Sequence, residues 1–353
     1  MSLYDSIGQS LRLFPYRKNS LRIRTIDLHT GGEPLRVIVD GFPELEGKSV
    51  LEYRADCLLN HDHLRKALMW EPRGHADMYG CILTPPNDES GDFGVVFMHH
   101  EGYSTMCGHA IIALAKLAAE LGWKKPVENE IRLAIDAPCG RVKSSVLMEN
   151  DKVKRIYFLG VPSFVVGTDF KVQLSAFGSI SYDLAYGGAF YAYVEAHQFG
   201  LDLVPENYNK IIALGKLIKQ EVSRNNSNIK HPYEDDLSFL YGTIFIGASQ
   251  LPGIHSRNVC VFADGEVDRS PTGSGVAGRV ALHFHKGQIS RGEEIVIESI
   301  TGSTFSGSVF EVQAYGPYQA VIPKVTGDAF IIGRHEFIMD MEDPLKAGFL
   351  LRE

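Results

Sequence analysis

From Ala110 to Leu121 apolar residues occupy nearly every helical face, and the only charges, Lys116 and Glu120, sit four residues apart on one stripe. That pattern predicts a helix enclosed by protein rather than one lying on a surface. A second segment, Val276 to Lys286, places Arg279, His283 and Lys286 on one stripe and apolar residues elsewhere, and predicts a second, largely enclosed helix. Each stops at a glycine, Gly122 and Gly287, the residue best suited to the turn after a helix C-terminus. Each is followed by a strand-like run, Glu130-Ile131-Arg132-Leu133 and Glu294-Ile295-Val296-Ile297. Well upstream of each, Asp27-Leu28-His29-Thr30-Gly31-Gly32 and Asp183-Leu184-Ala185-Tyr186-Gly187-Gly188 read as strand and glycine turn, leading into the strands at Leu35-Arg36-Val37 and Tyr191-Ala192-Tyr193.

These fragments recur in one order about 160 residues apart, the signature of an internal duplication. The expected fold is α+β: two pseudo-symmetric lobes, each with short strands wrapped around a central buried helix. We expect the first lobe over residues 1–175 and the second over 176–332. The last segment, 333–353, is a candidate for return to the first lobe.

Composition narrows the classes of function. With 353 residues the chain exceeds the usual single core, which agrees with two units. A net charge of −8 speaks against a nucleic-acid surface, which needs a concentrated basic field to displace phosphate counterions. The uncharged stretch around Cys107 ends at Lys116, far short of the roughly 20 apolar residues of a membrane span. Cys57, Cys81, Cys107, Cys139 and Cys260 form an odd, widely spaced set without a C-x-x-C pair, so neither a disulfide framework nor a zinc site is expected. A reducing, cytoplasmic setting follows. Arg12, Arg17, Lys18, Arg22 and Arg24 raise the question of a presequence, but Asp5 and the direct run into a strand-like segment favour an ordinary leader.

The chemistry concentrates at the two helix starts. A buried helix opening with Cys107-Gly108-His109 or Thr272-Gly273-Ser274 presents unpaired backbone N–H groups, and glycine lets an anion approach them closely. Two such ends facing each other would hold one carboxylate. The helix field is expected to lower the thiol of Cys107 towards neutrality and supply thiolate as a base. Taken alone, an isolated cysteine is more often a packed core residue, and Thr272 is a good N-cap whatever else it does. The histidine pairs do not announce a metal. His283-x-His285 would diverge on a helix, His99 and His100 would point to opposite faces of a strand, and His61-Asp62-His63 lies in a polar stretch.

Met106-Cys107-Gly108-His109, together with Asp268-Arg269-Ser270-Pro271-Thr272-Gly273-Ser274-Gly275, resembles the proline racemase family. The resemblance covers almost the whole chain. It extends to Asp27-x-His29-Thr30-Gly31-Gly32-Glu33-Pro34, Arg73-Gly74-His75-x-Asp77-Met78-Tyr79 and Asp183-x-x-x-Gly187-Gly188, all in family order. It implies the diaminopimelate epimerase fold, an active site between two similar lobes, and a reaction needing neither metal nor pyridoxal phosphate. By the same resemblance, Gly108, His109, Gly273 and Ser274 bind the substrate carboxylate, Asp268 holds the ring ammonium, and Tyr79 and Phe262 line the ring pocket.

Racemases and hydroxyproline epimerases of the family use a cysteine on each face of the α-carbon. Here Thr272 stands in the second position, and a hydroxyl is far too weak an acid or base to exchange an α-proton near neutral pH. The Cys107/Thr272 pairing resembles that of the trans-3-hydroxy-L-proline dehydratases in the family. In that substrate the α-hydrogen and the 3-hydroxyl lie on the same ring face, so one thiol suffices for elimination to Δ1-pyrroline-2-carboxylate. The expected partner is a small hydroxyproline substrate, with no nucleic acid and no membrane; oligomeric state stays open, a homodimer being compatible. Competing readings are a 4-hydroxyproline epimerase or proline racemase and, in another class, a non-catalytic amino-acid-binding module.

Overall fold

A computed structural model describes residues 20–351, and the reading of the N-terminus as a leader falls mostly outside the described residues. Strands β1 (Ser20–Thr30) and β2 (Glu33–Asp40) form a hairpin across Gly31 and Gly32, whose φ of +61° and +92° explain the glycine pair. Helices α1 (Val50–Asn60) and α2 (Asp62–Met69) follow. Then come β3 (Tyr79–Thr84), β4 (Phe93–His99), α3 (Gly108–Glu120), β5 (Glu130–Ala137), β6 (Gly140–Glu149) and β7 (Lys152–Leu159). The chain continues through β8 (Ser163–Leu174), β9 (Gly178–Tyr186), β10 (Phe190–Glu195), α4 (Tyr208–Asn225), β11 (Leu240–Gly247), β12 (Ser256–Phe262) and the two-residue β13 (Glu266–Val267). It ends with α5 (Gly273–His285), β14 (Glu294–Glu298), β15 (Thr304–Tyr315), β16 (Tyr318–Gly327) and β17 (Ala329–Asp340).

The result is a strand-rich, barrel-like α+β arrangement with few helices, its strands joined in one hydrogen-bonded network. Along β1 to β7 the pairings run antiparallel, parallel, antiparallel, parallel, antiparallel, antiparallel, with α3 inserted before β5. From β9 onward, through β10, β11, β12, β14, β15 and β16, the same order of pairings occurs, with α5 inserted before β14. Strand β17 returns to pair with β1 over its whole length, and β16 pairs with β7 and β8.

Both inserted helices are enclosed. Residues 108–115 of α3, with Leu117 and Ala118, are buried, and the charged stripe resolves into a Lys116–Glu120 ion pair of 2.7 Å at its one open edge. In α5, residues 273–282 are buried. Arg279, on the polar stripe, is buried among them, and Asn258 Oδ1 (2.8 Å) and Ser256 Oγ (3.0 Å) accept from its guanidinium. Burial pushes that guanidinium down to about 10. The glycine stops behave as expected. Gly122 and Gly287 have φ near +65°, and the N–H groups of Gly122 and Trp123, and of Gly287 and Gln288, return to carbonyls of the last turn. Each Leu or Ile of these helices removed from water contributes roughly 1.5–3 kcal/mol, so the two helices anchor the core. No helix among the described residues is long and apolar enough to cross a membrane.

Candidate active site

The N-termini of α3 and α5 meet head to head. A Cβ added to Gly108 would lie 2.6 Å from the Cα of Gly273, and one added to Gly273 would lie 2.7 Å from the Cα of Gly108, so contact at this range requires glycine on both sides. Gly187 and Gly188 bring the neighbouring turn equally close: added Cβ atoms would fall 2.1 Å from the Ser274 carbonyl oxygen and 2.5 Å from Met106 Cγ. The glycines of three separate motifs therefore serve one junction.

A small cavity opens at this junction, lined by Tyr79, Cys107, Gly108, His109, Phe262, Asp268, Thr272, Gly273 and Ser274, and also by Met106, Tyr191 and Tyr241. All nine residues singled out in the sequence are thus brought together. Its interior of about 20 Å3 has room for about one water molecule. A much larger groove of about 640 Å3 lies over β5, β6 and β7, lined by such residues as Glu130, Arg132, Lys143 and Lys324. It is open and charged, and carries neither a thiol nor a helix start.

Cys107 is the N-cap of α3, in an extended conformation, and its sulfur accepts the N–H of Ala110 at 3.3 Å. His109 Nδ1 lies 3.2 Å from the same sulfur. Burial pushes the His109 imidazole down to about 3, with the Pro34 carbonyl opposing, so the ring is neutral. For Cys107 the expectation of a lowered thiol is reversed in the ligand-free site. Burial pushes the thiol well up; the Ala110 N–H and the Tyr79 hydroxyl pull it down, while the charges of Asp268 and Glu33 push it further up. A helix end offers only a partial charge, whereas here the whole sulfur is out of water.

Thr272 occupies the matching position on α5, but its φ of +67° is rare for a β-branched residue. Its side chain makes no capping bond, contrary to the role expected of it; its buried Oγ1 is turned towards Asp268 and Cys260 without a hydrogen bond of normal geometry among the described residues. Asp268 accepts the N–H of Ser270 at 2.8 Å, and burial raises its carboxyl to about 6 despite that bond. Ser274 Oγ and Tyr191 Oη lie 2.7 Å apart, and Thr30 donates to the His109 carbonyl oxygen at 2.9 Å.

Glu33, missed as a site residue, lies behind Asp268. It accepts the N–H of Arg269 at 2.7 Å, while burial and the charge of Asp268 push its carboxyl well up. Arg269 in turn donates to Asp77 at 2.7 Å, which ties two further motifs to the site. Tyr191, Tyr241 and Ser104 were also missed; an aromatic or a serine inside a strand-rich segment carries no local signal of its role. His99 and His100 do not diverge. β4 ends at His99 and the chain bends at His100, so both Nδ1 atoms converge on Glu266 Oε1, at 2.8 Å and 2.5 Å. The three groups form a buried cluster with donor atoms within 4.8 Å of one another, a spacing that could hold a metal ion, and the two imidazoles hold Glu266 below its ordinary value although burial opposes them.

A thiol and two opposed helix starts thus line one small cavity on a strand-rich α+β fold. The model of one family, described as proline racemase, matches residues 25–350, and the chain belongs to the proline racemase family. It is 51% identical over 336 residues to a trans-3-hydroxy-L-proline dehydratase of Colwellia psychrerythraea, covering 95% of this chain and 94% of that one. A 3-hydroxyproline 2-epimerase of Burkholderia multivorans is 43% identical, with coverage of 95% and 100%. Among solved structures, a hydroxyproline epimerase from Agrobacterium vitis with bound trans-4-hydroxy-L-proline superposes with a TM-score of 0.87 at 28% identity, covering 95% of this chain and 97% of that one.

Proposed function

We propose that this protein is a hydro-lyase that converts trans-3-hydroxy-L-proline to Δ1-pyrroline-2-carboxylate. The carrying observation is the asymmetry of two otherwise matched helix starts, with a thiol on one and the hydroxyl of Thr272 on the other. The N–H groups of Gly108, His109, Gly273 and Ser274 receive the carboxylate, where negative charge grows as the α-proton leaves. Asp268 pairs with the ring ammonium and makes that proton more acidic. Cys107 removes the proton from the face that also bears the 3-hydroxyl. Substrate itself favours the thiolate, because an ammonium on Asp268 cancels one of the charges that hold the thiol up. Elimination gives an enamine that tautomerises to the cyclic imine.

The same reading treats the chain as two lobes, 1–175 and 176–332, with 333–353 returning to the first; the doubled pairing order and the β1–β17 ladder support it. Five free cysteines agree with a cytosolic setting.

Incubating the protein separately with trans-3-hydroxy-L-proline, trans-4-hydroxy-L-proline and L-proline, and trapping imine with an aromatic amino-aldehyde, tests the proposal. Imine from the first alone is expected. Inversion at C2 of any of the three without loss of water overturns the dehydratase reading in favour of an epimerase or racemase, and binding without turnover makes the protein a carrier.

A further inference from the structure

Elimination of a hydroxyl needs an acid as well as a base. Hydroxide is a poor leaving group, and its departure is assisted by a proton delivered as the C3–O bond breaks. If the α-proton and the hydroxyl leave from one face, that acid belongs on the Cys107 side of the ring. Thr272 belongs to the opposite helix start, with its hydroxyl towards Asp268 and Cys260.

On the Cys107 side stand three hydroxyls. Those of Tyr79 and Ser104 are bonded to each other. The third belongs to Tyr241, near the start of β11, which lines the cavity. Its ring stacks on Phe262 with centroids 5.4 Å apart and meets Tyr191 edge-on at 5.8 Å, so its direction is fixed by packing on two sides. Its oxygen is buried; the hydroxyls of Tyr79 and Ser104 come near it, but no contact among the described residues has the geometry of a hydrogen bond that would commit its own proton. At the wall of a binding cavity the acceptor for such a proton is the ligand. Burial, with the charge of Glu266 behind it, pushes the phenol well up, so Tyr241 stays protonated and serves as a donor.

On the reading of the protein as a 3-hydroxyproline dehydratase, we infer that Tyr241 is the general acid that protonates the departing 3-hydroxyl. The balance is complete within the site. The Cys107 thiolate takes the α-proton, the C2–H electron pair becomes the C2=C3 bond, and the C3–O bond breaks. The oxygen leaves as water with the proton of Tyr241. Tyr79, whose hydroxyl is turned to both the Cys107 sulfur and Tyr241, then gives its proton to the Tyr241 phenolate and takes the proton held on Cys107. The enzyme is restored with no solvent proton consumed.

The test compares wild type and Tyr241→Phe on two substrates, trans-3-hydroxy-L-proline and trans-3-chloro-L-proline, because chloride leaves without a proton. We expect dehydration to fall by about 10²–10³-fold in the variant, while elimination of chloride stays within about threefold of wild type. In deuterium oxide the variant is also expected to build deuterium into unreacted hydroxy substrate at C2, since proton removal then outruns C–O cleavage. Dehydration within about threefold of wild type overturns the assignment, and so does an equal loss on both substrates, which would mark a packing role. Wild type inactive on the hydroxy substrate sinks the parent reading instead, a result separable from the other two.

Discussion

The two helix starts share a glycine and a place at the junction, and differ in the residue that precedes it and in what surrounds that residue. On α3, Cys107 is extended at φ −142°, caps the helix through its sulfur and touches His109. On α5, Thr272 is held at φ +67°, caps nothing and turns its hydroxyl towards Asp268 and Cys260, while Ser274 is fastened to Tyr191. Where the two halves must be alike, at the glycines whose Cα atoms touch, they are identical; where chemistry is decided, they diverge. On the proposed reading, a duplicated frame receives the carboxylate, and the reaction follows from which side chains the frame carries.

The sharpest way to break the comparison is to remove the one thiol. Cys107→Ser is expected to cut dehydration by about 10³-fold or more, because no other base faces the α-proton. Serine also caps helices, so unfolding by denaturant should show stability within about 1 kcal/mol of wild type. Activity retained in that variant would remove Cys107 from the mechanism and with it the functional contrast between the halves.

Asp268 comes next. With its carboxyl near 6 in the ligand-free site, kcat/KM is expected to fall as pH drops through about 6, since a neutral carboxyl cannot pair with the ammonium, and the substrate itself does not titrate there. The stability effect has the opposite sense. A folded-state pKa above the ordinary 3.8 means that the contribution of this group is fully present below that value and is lost as pH rises through about 6. Asp268→Asn should abolish the acid limb of the rate profile and lower kcat/KM by about 10²-fold, mostly through KM, as expected for a lost buried charge pair. An unchanged acid limb in the variant would place the titration elsewhere.

Much of this was legible in the residues, for identifiable reasons. The two central helices are apolar on most faces and end at glycines, so neither their burial nor their ends required tertiary information. The glycine motifs and the Cys/Thr difference were also visible, and the nine residues named from them and from the family resemblance line one cavity. What stayed hidden depends on three-dimensional surroundings. The thiol of Cys107 is raised chiefly because segments distant in the chain bury it, with the charges of Asp268 and Glu33 adding to the effect. Tyr241 sits in Leu240-Tyr241-Gly242, which reads like any strand entry. Alternation along β4 put His99 and His100 on opposite faces, but alternation holds only while a strand lasts, and this one stops between them.

The smallest effect concerns Thr272 and asks whether its strain is real. At an ordinary buried position, Thr→Gly loses about 0.8 kcal/mol per buried methyl or methylene and about 0.5–1 kcal/mol more to the freedom of glycine in the unfolded chain. A residue held in a sparsely populated backbone region stores about 1–3 kcal/mol, and glycine at φ +67° releases it. The terms oppose each other, so Thr272→Gly is expected to change the unfolding free energy by less than about 1 kcal/mol, measured by denaturant titration. A loss above about 2 kcal/mol would mean that the backbone here is relaxed. Near-neutral stability together with impaired dehydration would show that the second helix start keeps a costly threonine for what its hydroxyl does in the site.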